Sequence, residues 1–169
     1  MTSLEPTTNH RLLGFAKTVS SSPARSEQPT SVLDAVQDAV RRMDSKTLRR
    51  VASPEAGIAF QPVTLLALLT YCYAHEIYGS SQVEELMGKD ASFRKLCDQE
   101  FPGPLIIQRF RKENREAIHE CLCAALSRQF ARNAMARRLP ALPEDQIPEE
   151  ATRRILMAMF IDNVELNDG

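Results

Sequence analysis

The longest apolar run in the chain is QPVTLLALLTYCYAHEIYG, residues 61–79, which opens on a proline and closes on a glycine. Proline suits the first helical position, where the N–H it lacks would have no intrahelical partner, and glycine readily takes the left-handed conformation that ends helices. The run predicts a helix over 62–78. With apolar residues on nearly every side, it is expected to be the central core helix, with Leu66 and Leu69 buried. Upstream, TSVLDAVQDAVRRMD predicts an amphipathic helix. Ser31 can cap it, Asp34 sits in the first turn where the helix dipole favours negative charge, and Val32, Val36, Ala39, Val40 and Met43 share one face. A short helix over SKTLRRVA and a turn at Pro54–Gly57 are expected between the two.

After Tyr78 the pattern breaks into three short helices over roughly 81–88, 91–99 and 104–113. Ser81 and Glu84 have the spacing of a capping box, Asp90 can cap ASFRKLCDQ, and Pro104 opens LIIQRFRKE. Asn114 either caps a longer helix over REAIHECLCAALSRQFARNAMARRL or lets it run on from the one before. PALPEDQIPEE, with three prolines, reads as a spacer. EEATRRILMAMFIDNVEL then predicts a last helix with Ile155, Leu156, Met159, Phe160 and Val164 along one face. No internal repeat is visible, and no stretch alternates apolar and β-branched polar residues long enough to propose a strand, so the fold class is all-α. The domains read as a weakly ordered Ser/Thr/Pro-rich arm over 1–30, a helical domain over 31–138, a Pro-rich linker over 139–148 and a C-terminal amphipathic helix over 149–169.

Composition supports this class. The chain has 169 residues, 43% of them hydrophobic, with six glycines and no tryptophan, which fits one helical domain with appendages. No apolar run approaches the ~20 residues that span a bilayer, and the N-terminus lacks the basic-then-apolar order of a signal peptide. A cytoplasmic protein without a membrane partner is expected, and Cys72, Cys97, Cys121 and Cys123 then read as buried thiols. The net charge of −1 hides an asymmetry: Leu105–Arg138 carries eight basic against three acidic residues, and Leu139–Gly169 two against seven. A basic segment followed by an acidic one points to nucleic acid as a partner for the first.

Candidate chemistry narrows the function further. Cys72 with His75, and His119 with Cys123, have helical spacings that two facing helices could use for zinc, but the same residues suit a helix interior, and no metal or cofactor is assigned. There is no supported nucleophile–base set, no glycine-rich phosphate loop, and Glu84 and Glu85 are adjacent and so diverge on a helix. No enzyme activity and no small-molecule substrate are expected. The three short helices have the proportions of a helix-turn-helix unit, whose last member would place Leu105 or Ile106 and Phe110 toward the core, and Gln108, Arg109, Arg111 and Lys112 on an exposed arc followed by Arg115. Arginine and glutamine can pair with base edges and lysine with phosphate. The competing reading of the same pattern is an ordinary solvated helix surface.

The block from Phe60 to Ile118 resembles the N-terminal domain of bacterial insertion-sequence DDE transposases. The residues that carry the likeness are Pro62 with Leu65, Leu66, Leu68 and Leu69; the turn Gly79, Ser80 and Ser81; Glu85, Leu86, Asp90, Phe93, Arg94 and Leu96; and the tripeptide Arg109, Phe110 and Arg111. The resemblance implies a domain that binds the ends of a mobile element's DNA. Where the family has polar residues at the start of the last helix, this chain has Gly103, Pro104, Leu105, Ile106 and Ile107, which implies contacts mostly to phosphate through Gln108, Arg109, Arg111, Lys112 and Arg115. The RNase H-like domain that carries the family's metal-dependent chemistry is not found in these residues, so a regulator or accessory factor is expected, not a nuclease. The alternative is a protein-interaction module that has lost DNA binding. Ile155, Leu156, Met159 and Phe160 on the last helix would then form the interface, as in a homodimer that would also serve DNA binding.

Overall fold

A computed structural model describes residues 31–50, 60–97, 101–138 and 140–167. The expected arm over 1–30 and the turn at Pro54–Gly57 lie outside the described residues. The described residues are helical, with no strand among them: α1 (Val32–Arg42), a 3-10 turn (Ser45–Thr47), α2 (Pro62–Ala74), α3 (Ser80–Lys89), α4 (Ala91–Cys97), α5 (Pro104–Glu113), α6 (Arg115–Arg137), a second 3-10 turn (Glu144–Gln146) and α7 (Ile147–Asn167). The all-α class read from the sequence is the class observed.

α1 begins with a reciprocal cap: Ser31 Oγ accepts from the Asp34 amide at 3.1 Å, and the Asp34 carboxylate accepts from the Ser31 amide at 3.1 Å. Its apolar face, Val32, Ala35, Val36, Ala39 and Val40, is buried against α2 and α6. α2 lies at the centre, with Leu65, Leu66, Leu68 and Leu69 all buried. It stops about a turn before Tyr78. Glu76 takes a left-handed φ of 61°, the Ile77 amide donates back to Cys72 O at 2.9 Å and the Glu76 amide to Tyr73 O at 3.2 Å. This pair of bonds is a Schellman closure, which normally favours glycine at the left-handed position. Gly79 therefore precedes α3 instead of ending α2. It also permits close approach by α7, since a Cβ there would lie 3.3 Å from Ile161 Cγ2.

The capping box expected from Ser81 and Glu84 does not form. α3 starts one residue earlier, at Ser80, and its cap comes from far along the chain: Asp162 of α7 accepts from the Ser80 amide at 2.8 Å and from Ser80 Oγ at 2.6 Å. α4 is capped locally, as expected, with Asp90 Oδ1 accepting from the Ser92 amide at 2.6 Å. α3 packs on both α4 and α5, which rest in turn on α2. That packing alone does not make a helix-turn-helix unit. α5 and α6 are separate helices broken at Asn114.

α6 lies against α1, α2 and α7, burying Ile118, Cys121, Leu122, Ala125 and Leu126. α7 buries Ile147, Ala151, Ile155 and Ala158, which belong to the same hydrophobic core as α1, α2 and α6. Its buried face also carries two charges, Arg154 and Asp162. Arg154 is satisfied by Tyr73 O at 2.8 Å, Ala74 O at 2.9 Å, Glu76 at 3.0 Å and Glu150 at 2.6 Å. It thus supplies donors to carbonyls at the end of α2, while Asp162 caps the start of α3.

Candidate nucleic-acid interface

α5 and α6 meet at Asn114, and beside this junction a cleft of about 240 Å³ separates them from the C-terminal half of α7. Gln108, Arg111, Lys112 and Arg115 line one wall, and Met159, Asp162, Asn163 and Leu166 the other. The basic residues singled out in the sequence are thus brought close together, but in three different states.

Arg111 corrects the expectation of an exposed arc. It is 4% exposed, ion-paired with Asp162, and its Nη1 donates to the Tyr73 hydroxyl at 2.9 Å. The helical wheel of α5 is sound, but the side of the helix carrying Arg111 meets α7. Burial pushes the Tyr73 hydroxyl well above its ordinary range, with Arg111 opposing, so the phenol stays protonated. Arg111 therefore joins α2, α3, α5 and α7 through one buried polar network and does not present its charge to solvent. Arg109 is exposed, but its Nε donates to Glu113 at 2.9 Å, one helical turn away. Gln108 is half-buried on the cleft wall.

Lys112 and Arg115 are exposed, and among the described residues neither has an ion-pair or side-chain hydrogen-bond partner. They stand on either side of the uncapped start of α6. Asn114 occupies the capping position but makes no side-chain bond to α6; its Oδ1 accepts from the Arg49 amide at 2.7 Å, and its Nδ2 donates to Arg49 O at 3.0 Å and Phe110 O at 3.2 Å. Glu113, Glu116 and Glu120 are the acidic residues nearest along the chain. A second cleft, of about 540 Å³, continues along α6 and α7 between Arg115, Glu116, His119, Glu120, Thr152 and Ile155.

The interface stripe expected on α7 divides among three environments. Ile155 is 1% exposed and belongs to the core, so it is not available to a partner; Met159 is half-buried and faces the first cleft; Leu156 and Phe160 are exposed, with Val164 beside them. The buried charges Arg154 and Asp162 were missed in the sequence, although they fall in register with Ile147, Ala151, Ile155 and Ala158 on a 3.6-residue period. Among the described residues no three His, Cys, Asp or Glu side chains gather as a metal site would require. His119 and Cys123 lie near each other at 3.8 Å, with a His119 ring nitrogen 3.1 Å from Pro148 O. Burial pushes the Cys121 thiol up to about 12, which keeps it protonated and unreactive. No described helix is long and apolar enough to cross a membrane. Comparison with protein families, curated proteins and solved structures finds no match to this chain.

Proposed function

We propose that this protein is a non-catalytic DNA-binding regulator or accessory factor, related to the DNA-binding domain of insertion-sequence transposases, that contacts phosphate at the junction of α5 and α6. The observation that carries the reading is the pair of exposed cations Lys112 and Arg115, without ion-pair or side-chain hydrogen-bond partners among the described residues, flanking the uncapped start of a 23-residue helix. A cation already neutralised by a carboxylate gains little from phosphate, whereas a free one releases a condensed counterion when it binds. Beside them Gln108, half-buried on the cleft wall, and Arg109, engaged by Glu113, add polar groups without adding a free cation. The sixty-residue resemblance supports the same reading.

The test is a salt titration of binding to random and genomic duplex DNA. Affinity is expected to fall steeply with salt and to discriminate little between sequences, because phosphate contacts carry no direct sequence information. Lys112→Ala with Arg115→Ala is expected to reduce the slope of log affinity against log salt by roughly 1 to 2 units, about 0.9 per phosphate contact removed, while the fold is retained. Absence of binding by the wild type at low salt overturns the reading. Arg111 is unsuited to this test because its removal disturbs the core.

A second reading is self-association, favoured by the exposure of Leu156, Phe160 and Val164 on the outer side of α7. A second copy is the occupant that fits, since a two-fold pairing of α7 helices covers both stripes at once. It would also duplicate the basic junction, and two weak contacts in one particle gain by effective concentration.

A further inference from the structure

We infer that Arg49 and Arg50, from the segment after α1, belong to the same phosphate-binding surface, and that Asn114 is the positioning residue that holds them there. This rests on the proposed DNA-binding function and adds a second segment, sixty-five residues away in sequence, to the site.

An asparagine preceding a helix ordinarily accepts from an amide of the first turn. Asn114 forgoes that bond and turns both ends of its side chain to Arg49, accepting from its amide at 2.7 Å and donating to its carbonyl at 3.0 Å, while Nδ2 also donates to Phe110 O at 3.2 Å. Asn114 is 5% exposed, so its bonds to Arg49 are partly buried. Leu48, buried in the core, anchors the preceding residue. Together they fix the peptide of Arg49 against the α5–α6 break, while the side chains of Arg49 and Arg50 remain exposed to solvent. Among the described residues neither side chain has an ion-pair or hydrogen-bond partner.

Arg49 and Arg50 therefore add two cations beside the junction from which Lys112 and Arg115 project. The bonds to Asn114 also fix this stretch of backbone before any ligand arrives, which lowers the ordering cost of binding. The acidic residues nearest along the chain, Glu113, Glu116 and Glu120, are fewer than the four cations Arg49, Arg50, Lys112 and Arg115; Glu113 is already engaged by Arg109, and Asp162 across the cleft by Arg111. Because Asn114 grips only the backbone of Arg49, changing the side chains at 49 and 50 leaves the clamp in place.

The experiment is the full chain titrated with a random-sequence DNA duplex by fluorescence anisotropy across a range of salt, comparing the wild type with Arg49→Ala/Arg50→Ala and Arg49→Lys/Arg50→Lys. The alanine pair is expected to lower the log–log salt slope by roughly 1 to 2 units, and the lysine pair to restore it, since each phosphate contact contributes about 0.9. Thermal melts should place all three proteins together. If the wild type binds with a steep slope and the alanine pair keeps that slope, the segment is not part of the surface and this inference fails while the function stands. If the wild type does not bind at low salt, both fail. Asn114→Ala supplies the positioning test: it should weaken binding several-fold in the wild-type background, yet have no further effect in the Arg49→Ala/Arg50→Ala background. An equal weakening in both backgrounds would overturn the positioning role by making Asn114 independent of the arginines.

Discussion

Arg111 shows that a charge on the polar side of a helical wheel is buried when another helix covers that side. Its guanidinium is removed from water, a cost that the Asp162 carboxylate and the Tyr73 hydroxyl offset, and Asp162 in turn is held by Ser80 at the start of α3. Removing one member of such a pair strands the other, so Asp162→Ala is expected to cost about 3–5 kcal/mol. Arg111→Met with Asp162→Leu should cost less than that single change, because no uncompensated charge remains. Chemical denaturation of the single and double variants checks both statements. Glu150 gives a pH signature. The hydrogen bond from Arg153 and then that from Arg154, against the opposing effect of burial, hold its carboxyl at about 2, below its ordinary 4.5. A carboxyl depressed in the folded state contributes stability that is fully present above about 4.5 and is lost as pH falls toward 2. Glu150→Gln should therefore melt below the wild type at neutral pH, and the gap should close between pH 4.5 and 2.

At the scale of elements, most helices were legible because their signals are local. The caps of α1 and α4 and the prolines opening α2 and α5 lie within a few residues of the ends they define. The end of α2 and the start of α3 were misread because their partners, Arg154 and Asp162, are some eighty residues away. Local pattern favoured Gly79 and the Ser81–Glu84 spacing; instead the left-handed turn at Glu76 ends α2 at Ala74, where Arg154 reaches the last carbonyls, and Asp162 caps α3 at Ser80. α7 was legible as a helix, but its apolar residues, expected along one face, divide among core, cleft and solvent. Paired substitutions separate these. Ile155→Ala should cost roughly 2–5 kcal/mol through reduced burial and a residual cavity. Phe160→Asp, at a site 63% exposed, should leave the melting temperature nearly unchanged. If Phe160→Asp unfolds the protein, the outer side of α7 is part of the core. If the wild type is dimeric by light scattering, the same variant should be a folded monomer.

Across the whole molecule, the basic segment was legible in outline as a run of charge, but not in its final form. Sequence alone did not reveal that Arg111 turns inward, that Arg109 is engaged by Glu113, or that Arg49 is pinned beside Asn114, since each depends on which helices meet. Nor did sequence alone show what α7 contributes to the helices before it. α7 supplies Asp162 to Arg111 and to the start of α3, Arg154 to the end of α2, and Ile147, Ala151, Ile155 and Ala158 to the core. A chain shortened to end at Arg138 would leave a buried arginine without its carboxylate, the last two carbonyls of α2 without the charged donor Arg154, and the apolar flank of α6 uncovered. Such a chain is expected to lose cooperative thermal unfolding by circular dichroism and to be digested rapidly by protease under conditions where the full chain resists. Supplying residues 140–169 as a separate peptide should restore a measurable transition, because α7 holds its neighbours through side-chain packing and ion pairs that need no covalent link. A shortened chain that melts sharply within a few degrees of the full protein would show instead that α7 is an appendage, and that the network around Arg111 contributes little to holding the fold together.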